Sequence, residues 1–167
     1  RLKAIAGRKW TQDGQDKPLL TDDEYQNLTV FRGTLTDAER EIINNHALIT
    51  KRLLENLPFP KRLKNIPVFA GSHHEKLDGS GYPQGMAGEE IPLQARIIAL
   101  ADVFEALTAG DRPYKRANTL SEALAILRDM AKMRHIDADL FSLFMEEKIY
   151  LDYAVREMQP RQIDMED

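Results

Sequence analysis

Residues 73–83 read HHEKLDGSGYP and combine two kinds of residue that suit metal-assisted chemistry. His73 and His74 are half of the histidines in the chain, and imidazoles beside carboxylates are common ligands of transition metals. The glycine-rich stretch that follows lets backbone approach a ligand closely, because glycine has no Cβ. The segment therefore indicates metal-assisted chemistry on an anionic substrate.

Two further polar residues lie in apolar helical patterns and are candidates to complete a metal site. His46 has Ile43 and Ile49 as near neighbours at helical spacing, a setting in which a lone histidine is usually a hydrogen-bonded core residue. Asp102 lies within IIALADVFEAL, where burying a carboxylate is costly unless it is paired or bound to metal. The alternative for Asp102 is an exposed stripe shared with Glu105. Three imidazoles and one carboxylate from three helices would suit Fe, Mn or Zn.

The adjacent histidines raise a question of direction. Successive residues of a helix point about 100° apart, so His73 and His74 are not expected to bind the same ion. Each would instead serve a different ion of a two-metal site, which can activate water and stabilise both oxygens of a phosphoryl displacement. Glu75 is a candidate to support the ligands. The alternative for the pair is a solvated turn at a helix end.

A basic segment, RPYKR, begins at Arg112, shortly after the apolar helix that carries Asp102. The guanidinium of Arg112 can grip phosphate with two parallel N–H groups, and Lys115 adds a positive charge. Taken alone, such a segment is usually a basic surface turn, but its position one helix from a candidate ligand favours phosphate binding. His135, which precedes a predicted helix, is assigned no catalytic role.

Composition limits the classes of function. The 167 residues fit one domain, and a hydrophobic share of 43% can fill a core. A net charge of −4 argues against broad DNA binding, and the absence of cysteine excludes disulfides and thiolate ligands. No apolar run approaches the roughly 18 residues of a membrane span. We expect a cytoplasmic protein.

The spacing of apolar residues predicts a series of helices, and strand patterns are scarce. Thr36 and Glu39 form a capping-box pattern at the start of the clearest helix, which runs to Leu57 before Pro58. The polar stretch 11–18 is predicted to be a loop, and the polar tail 159–167 is expected to fray. We predict an all-α bundle in one domain over residues 1–167, with 1–33 as an N-terminal extension. The other predicted helices cover residues 22–31, 67–75, 93–108, 119–130, 137–148 and 149–158.

The chain resembles the HD-GYP subgroup of HD-domain metal-dependent phosphohydrolases. The segments that carry the resemblance are HHEKLDGSGYP, ARIIALADVFEALT and RPYK in that order, with TLTDAEREIINNH before them and HIDADLF after them. The match runs from about Thr34 to Leu143. It implies an all-helical, HD-domain-like fold. It also implies hydrolysis of cyclic di-GMP with two or three divalent transition metals, with Fe or Mn expected.

The resemblance also implies a role for each matching residue. The metal ligands would be His46, His73, His74 and Asp102. The substrate phosphate would be held by Arg112 and Lys115, and the substrate side would be shaped by the GYP element, Gly81, Tyr82 and Pro83. The residues expected to support the ligands are Glu75 and Asp78.

One departure from the family pattern limits these expectations. The name-giving His-Asp pair, which would supply bridging ligands, is absent, since no histidine precedes His46. The chain begins with Arg1 and not with methionine. We therefore expect the C-terminal part of a longer protein that carries the pair upstream, behind a sensory or receiver domain.

Several expectations follow from this departure. The segment alone is expected to bind metal weakly or not at all and to hydrolyse nothing, and a homodimer is permitted. One alternative is a degenerate, non-catalytic module that binds nucleotide or partner proteins. Another is an HD-type hydrolase that acts on a different nucleotide.

Overall fold

The computed structural model describes residues 1–12, 14–30, 33, 35–110 and 117–165. The chain divides into two compact units, Arg1–Asn45 and His46–Asp167. Arg112 and Lys115, the predicted phosphate-binding residues, lie outside the described residues. The assignment of the whole chain to one domain stays a prediction.

The first unit combines three short helices with a hairpin. Thr21 and Thr36 each begin a helix with a capping box, in which the hydroxyl accepts the N–H three residues on and a glutamate carboxylate accepts the threonine N–H. The helices are α1 (Leu2–Ala6), α2 (Asp22–Leu28) and α3 (Asp37–Asn44).

The polar stretch predicted to be a loop is instead a small antiparallel hairpin. Strand β1 (Lys9–Gln12) pairs with β2 (Gln15–Pro18), with Trp10 opposite Lys17. Gly14 has φ +76°, a left-handed conformation that lets the chain reverse between the strands. Because β2 is exposed along its whole length, its sequence lacks the apolar alternation that predicts a strand.

The second unit is helical and holds the main hydrophobic core. Phe104 packs edge-on against Phe144 and Tyr153, with ring centroids 5.2 Å apart in each pair. Around them lie buried leucines, among them Leu120 and Leu127. The all-α prediction is confirmed for this unit. Its helices are α4 (His46–Glu55), α5 (Ile66–Gly71), α6 (Leu93–Thr108), α7 (Leu120–Lys132), α8 (Ala138–Glu146) and α9 (Ile149–Glu157).

Several predicted helix limits are confirmed. Helix α6 has the predicted bounds. Thr119 begins α7 with a capping box completed by Glu122. The Asp137 carboxylate accepts the N–H groups of Asp139 and Leu140 at the start of α8.

The helix predicted from residue 36 to residue 57 is interrupted. Helix α3 ends at Asn44, and α4 begins at His46. Asn44 and Asn45 are adjacent, and asparagine side chains compete with helical hydrogen bonds for backbone groups. The apolar spacing on which the prediction rested continues across this break. The spacing therefore could not reveal that the helix is interrupted.

The tail expected to fray is held in place through Asp164. Pro160–Gln162 forms a 3₁₀ turn. The Gln162 side chain is buried, and its Nε2 donates to the carbonyls of Thr108 and Asn118 at 2.9 and 3.0 Å. The Asp164 carboxylate accepts hydrogen bonds from the side chain and backbone of Ser121, and these bonds lower its pKa to about 2. The polar composition of the tail predicted fraying because composition gives no information about these long-range hydrogen bonds.

None of the helices in the described part of the chain combines the length and the apolar character that crossing a membrane requires.

The buried amide of Gln162 gives a stability prediction. Gln162→Ala leaves two carbonyls without their donor, so we expect the free energy of unfolding to fall by about 1–3 kcal/mol. Urea denaturation measures this change. The matched control is Gln94→Ala on the exposed side of α6, which should stay within about 0.5 kcal/mol of the wild type. Equal effects of the two substitutions would contradict the role of Gln162.

Candidate metal centre

Three histidines meet where α4 and the end of α5 pack together. His46 is the first residue of α4, and His73 and His74 follow the end of α5. The two helices approach closely at Gly71, where an added Cβ would lie 2.9 Å from the Lys51 Cβ. A larger residue at position 71 would push α5 and its histidines away from α4. This close packing therefore sets the position of the cluster.

The three imidazoles are arranged to bind metal. Their ligand atoms all lie within 4.8 Å of one another, and the Nε2 atoms of His46 and His74 are 2.8 Å apart. Two nitrogens bound to one ion at about 2.0–2.1 Å each can be at most about 4.2 Å apart. His46 and His74 therefore satisfy the distance requirement for sharing one ion.

The expectation that His73 and His74 serve different ions stays a prediction, but its premise is not met. It assumed that both residues lie on a helix, but α5 ends at Gly71, and the two histidines lie on the turn that follows. Their ring centroids are 3.9 Å apart and the ring planes differ by 40°. The helical angle between successive residues therefore does not separate them.

A backbone hydrogen bond orients His73. Its Nδ1 lies 2.6 Å from the carbonyl oxygen of Ala70. Because a carbonyl only accepts, Nδ1 carries the hydrogen in this contact, and the Nε2 lone pair is the one available for a metal. A ligand histidine held through its other nitrogen in this way is typical of metal sites.

His74 is held in its neutral form. Burial lowers its pKa to about 4, and the positive charges that His73 and His46 can carry add to this effect, whereas the Asp102 carboxylate opposes it. A neutral imidazole has the lone pair that metal binding requires. His74 is therefore ready to bind a metal at neutral pH without first losing a proton.

Asp102 is near the histidines but is not part of the three-histidine group. Its carboxylate acts through its charge on His74 and on Tyr82. Both Asp102 and Glu105 are exposed on α6, as the surface-stripe alternative expects. His46 is also exposed, whereas the sequence pattern had placed it on an inner helix face. Of the four predicted ligands, the structure brings three together.

The loop after the histidines, residues 78–88, folds back onto them; we call it the GYP loop. The N–H of Tyr82 donates to the carbonyl of His74 at 3.2 Å, and the two rings stack with centroids 4.8 Å apart. The Tyr82–Pro83 peptide bond is cis. Burial and the charge of Asp102 raise the pKa of Tyr82, so its hydroxyl is a hydrogen-bond donor at neutral pH.

Glu75 fixes the other end of the GYP loop. Its side chain is 4% exposed, and its carboxylate accepts the backbone N–H groups of Gln84 and Met86 at 2.6 and 3.0 Å. A Cβ at Gly81 would clash with the backbone of Glu75 and Lys76, so the loop requires glycine there. Glu75 thus supports the loop directly, and its role in supporting the ligands stays a prediction.

Asp78 connects the GYP loop to a part of the chain to which the sequence assigned no role. Its carboxylate lies 3.4 Å from Nε2 of His135, and its N–H donates to the carbonyl of Arg134. The segment HIDADLF, which contributes to the family resemblance, contains His135. The resemblance pointed to this segment but not to the contact.

Comparison with known proteins agrees with the motifs. The HD domain family model matches residues 23–140. A 3'3'-cGAMP-specific phosphodiesterase of Vibrio cholerae is 47% identical over 58% of the chain. The cyclic di-GMP phosphodiesterase response regulator RpfG of Xanthomonas campestris is 46% identical over 57%, and a cyclic di-GMP phosphodiesterase of Thermotoga maritima is 38% identical over 59%. The chain spans 20%, 25% and 26% of the lengths of these relatives, respectively.

The lowered pKa of His74 predicts how stability depends on pH in the metal-free protein. His74 resists protonation in the folded state but not in the unfolded state, where its pKa is 6.5. The contribution of His74 to the free energy of unfolding is therefore fully present above pH 6.5 and is lost as the pH falls toward about 4. We expect His74→Gln to lose less stability between about pH 7 and about pH 5 than the wild type does. Urea denaturation in the presence of EDTA measures the difference, and equal losses would contradict the prediction.

Proposed function

Since the chain belongs to the HD domain family, in its HD-GYP subgroup, we propose that the protein is a metal-dependent phosphodiesterase that hydrolyses a cyclic dinucleotide. The observation that carries the proposal is the 2.8 Å approach of the His46 and His74 Nε2 atoms, with His73 alongside. The named activities of the relatives, on cyclic di-GMP and 3'3'-cGAMP, support this substrate class. Cyclic di-GMP is the substrate that we propose first.

HD domains are metal-dependent, and the donor set of this chain fits a transition metal. His46, His73 and His74 would hold the metal, and the charge of Asp102 would favour a cation beside them. Imidazole with carboxylate suits Fe and Mn, and we propose two or three such ions in the intact site. When bound, divalent metals supply a water nucleophile at neutral pH and stabilise charge on phosphoryl oxygens.

We propose that the substrate lies on the side of the GYP loop. The Tyr82 hydroxyl, kept protonated beside His74, would donate a hydrogen bond to it. The close backbone at Gly81 and the turn at Pro83 would shape this side. The family resemblance supports Arg112 and Lys115 as the groups that hold the phosphate, through paired N–H donors and a positive charge.

The activity is proposed for the intact protein and not for this chain alone. A two-metal site needs more ligands than the three imidazoles that the described residues bring together. We propose that the parent protein supplies the missing His-Asp pair and a sensory or receiver domain. We also propose that it works in the cytoplasm. A homodimer stays a prediction.

A second candidate function is a non-catalytic module that binds a nucleotide or a partner protein. The separation of Asp102 from the three-histidine group favours it, because a site without carboxylate ligands is less suited to holding two cations. Calorimetry with the intact protein distinguishes the candidates. Nucleotide binding without turnover in the presence of Fe or Mn would favour the module.

Substitution of the paired histidines tests the enzyme. The double variant His73→Ala, His74→Ala removes two of the three imidazoles, so we expect hydrolysis of cyclic di-GMP to fall at least about 100-fold. Intact wild type and variant are assayed with added Fe(II) or Mn(II), and with 3'3'-cGAMP as the alternative substrate. Gln94→Ala, on the exposed side of α6, is the control and should keep full activity. Equal activity in the double variant and the wild type would remove the two histidines from the mechanism.

The behaviour of the 167-residue chain on its own is a separate prediction. Because its described residues gather three neutral ligands, we expect it to retain little Fe or Mn after dialysis and to show no turnover. Elemental analysis and the same hydrolysis assay measure both properties. Tight, stoichiometric metal together with turnover would contradict the prediction.

A further inference from the structure

We propose that the corner between α7 and α8, residues 134–137, is a positioning element that sets the GYP loop against α6, with His135 as the residue that holds the loop. The proposal rests on the proposed function only in its effect on catalysis. Its structural part concerns contacts among the described residues. We call residues 134–137 the α7–α8 corner.

One side of the corner holds the GYP loop by two contacts. The carbonyl of Arg134 accepts the N–H of Asp78 at 3.0 Å. Nε2 of His135 lies 3.4 Å from a carboxylate oxygen of Asp78, and the two side chains are 26% and 31% exposed. The other carboxylate oxygen of Asp78 accepts the N–H of Ser80 at 2.9 Å. The Asp78 carboxylate therefore joins the corner to the backbone of the loop.

The opposite side of the corner holds α6. Nη1 of Arg96 donates to the Asp137 carboxylate at 3.1 Å, and Nε of Arg96 donates to the carbonyl of Ile91 at 2.8 Å. Arg96 lies on α6, the helix that also carries Asp102. The corner is thus bonded to two elements. One is the GYP loop, which stacks Tyr82 on His74, and the other is α6, whose Asp102 carboxylate acts through its charge on Tyr82 and His74.

The backbone of the corner is closely defined. The N–H of Arg134 donates to the carbonyl of Ala131, and the N–H of His135 donates to the carbonyl of Met130. These two bonds form a Schellman motif at the end of α7, with Arg134 in the left-handed position that glycine usually occupies. The motif fixes the direction of the Arg134 carbonyl and of the His135 side chain, and both meet Asp78.

The contacts of His135 argue for positioning and not for core stability. His135 is half-buried and Asp78 is exposed, and the Schellman bonds use backbone atoms, so a substitution of the imidazole leaves the end of α7 intact. What is lost is one of the two contacts described between Asp78 and the corner. We therefore expect the GYP loop to loosen while the helices remain folded.

The test compares His135→Ala with His135→Gln in the intact protein. Glutamine places an amide N–H near the position of Nε2, so it should restore the contact with Asp78. We expect His135→Ala to speed amide hydrogen exchange in residues 78–88 and to raise KM for cyclic di-GMP about two- to fivefold, the range of one partly exposed ion-pair contact. The value of kcat should change less than KM, and His135→Gln should return both readouts toward the wild type.

Lys132→Ala is the matched control. Lys132 forms an exposed ion pair with Asp129 at 2.9 Å on α7, close to the corner in sequence but not bonded to the loop. This variant should change neither loop exchange nor KM. Unchanged loop exchange in His135→Ala, or equal exchange in the alanine and glutamine variants, would overturn the proposal.

The exchange measurement needs no turnover, so it separates the two proposals. Faster loop exchange in a protein that hydrolyses no cyclic dinucleotide would support the α7–α8 corner and count against the proposed enzyme. Normal exchange with full wild-type turnover would leave the enzyme standing and overturn the corner.

Discussion

The close packing of α4 on α5 at Gly71 is the constraint on which the rest of the site depends. Helix α4 presents much of its apolar surface to solvent, with Leu53 66% exposed, so its contact with α5 is the main packing that fixes it within the second unit. That contact brings His46 to within 2.8 Å of His74, 28 residues later in the chain. Without it, the chain would hold only an adjacent pair of histidines on a turn. The histidine cluster is therefore a product of helix packing more than of the local motif.

The GYP loop follows from a second constraint, the burial of Glu75. A buried carboxylate is costly unless hydrogen bonds satisfy it, and here two backbone N–H groups of the loop do so. The same bonds close the loop, because glycine at position 81 lets the chain pass against the backbone beside Glu75. Loop closure in turn puts the Tyr82 ring on His74 and contributes to the burial that keeps this imidazole neutral. Through the loop, Glu75 thus influences the environment of His74.

The sequence predicted those features that short segments determine. Capping boxes at Thr36 and Thr119 and the apolar pattern of α6 located helix starts and one complete helix. The motif HHEKLDGSGYP identified the histidine pair, the helical pattern made His46 a candidate to join it, and the family resemblance implied the ligand role of all three. The break at Asn45 was missed because the apolar spacing continues across it. The anchoring of Gln162 and the contact of His135 with Asp78 depend on partners far along the chain. The spacing of apolar residues carries no information about such partners. It also could not predict the exposed hairpin, whose sequence lacks apolar alternation.

The charges at the site relate its two candidate functions. Three neutral imidazoles bind a divalent ion without cancelling its charge, so the ion would still attract an anionic phosphate. Attraction of this kind would favour the binding of a nucleotide. In-line displacement at phosphorus through two metals needs a second cation close to the first, and two adjacent cations repel each other unless carboxylates lie between or beside them. In the described part of the chain, Asp102 is the carboxylate whose charge acts on His74 and Tyr82. Additional negative ligands are therefore what separates the proposed catalytic site from one that would only bind a nucleotide.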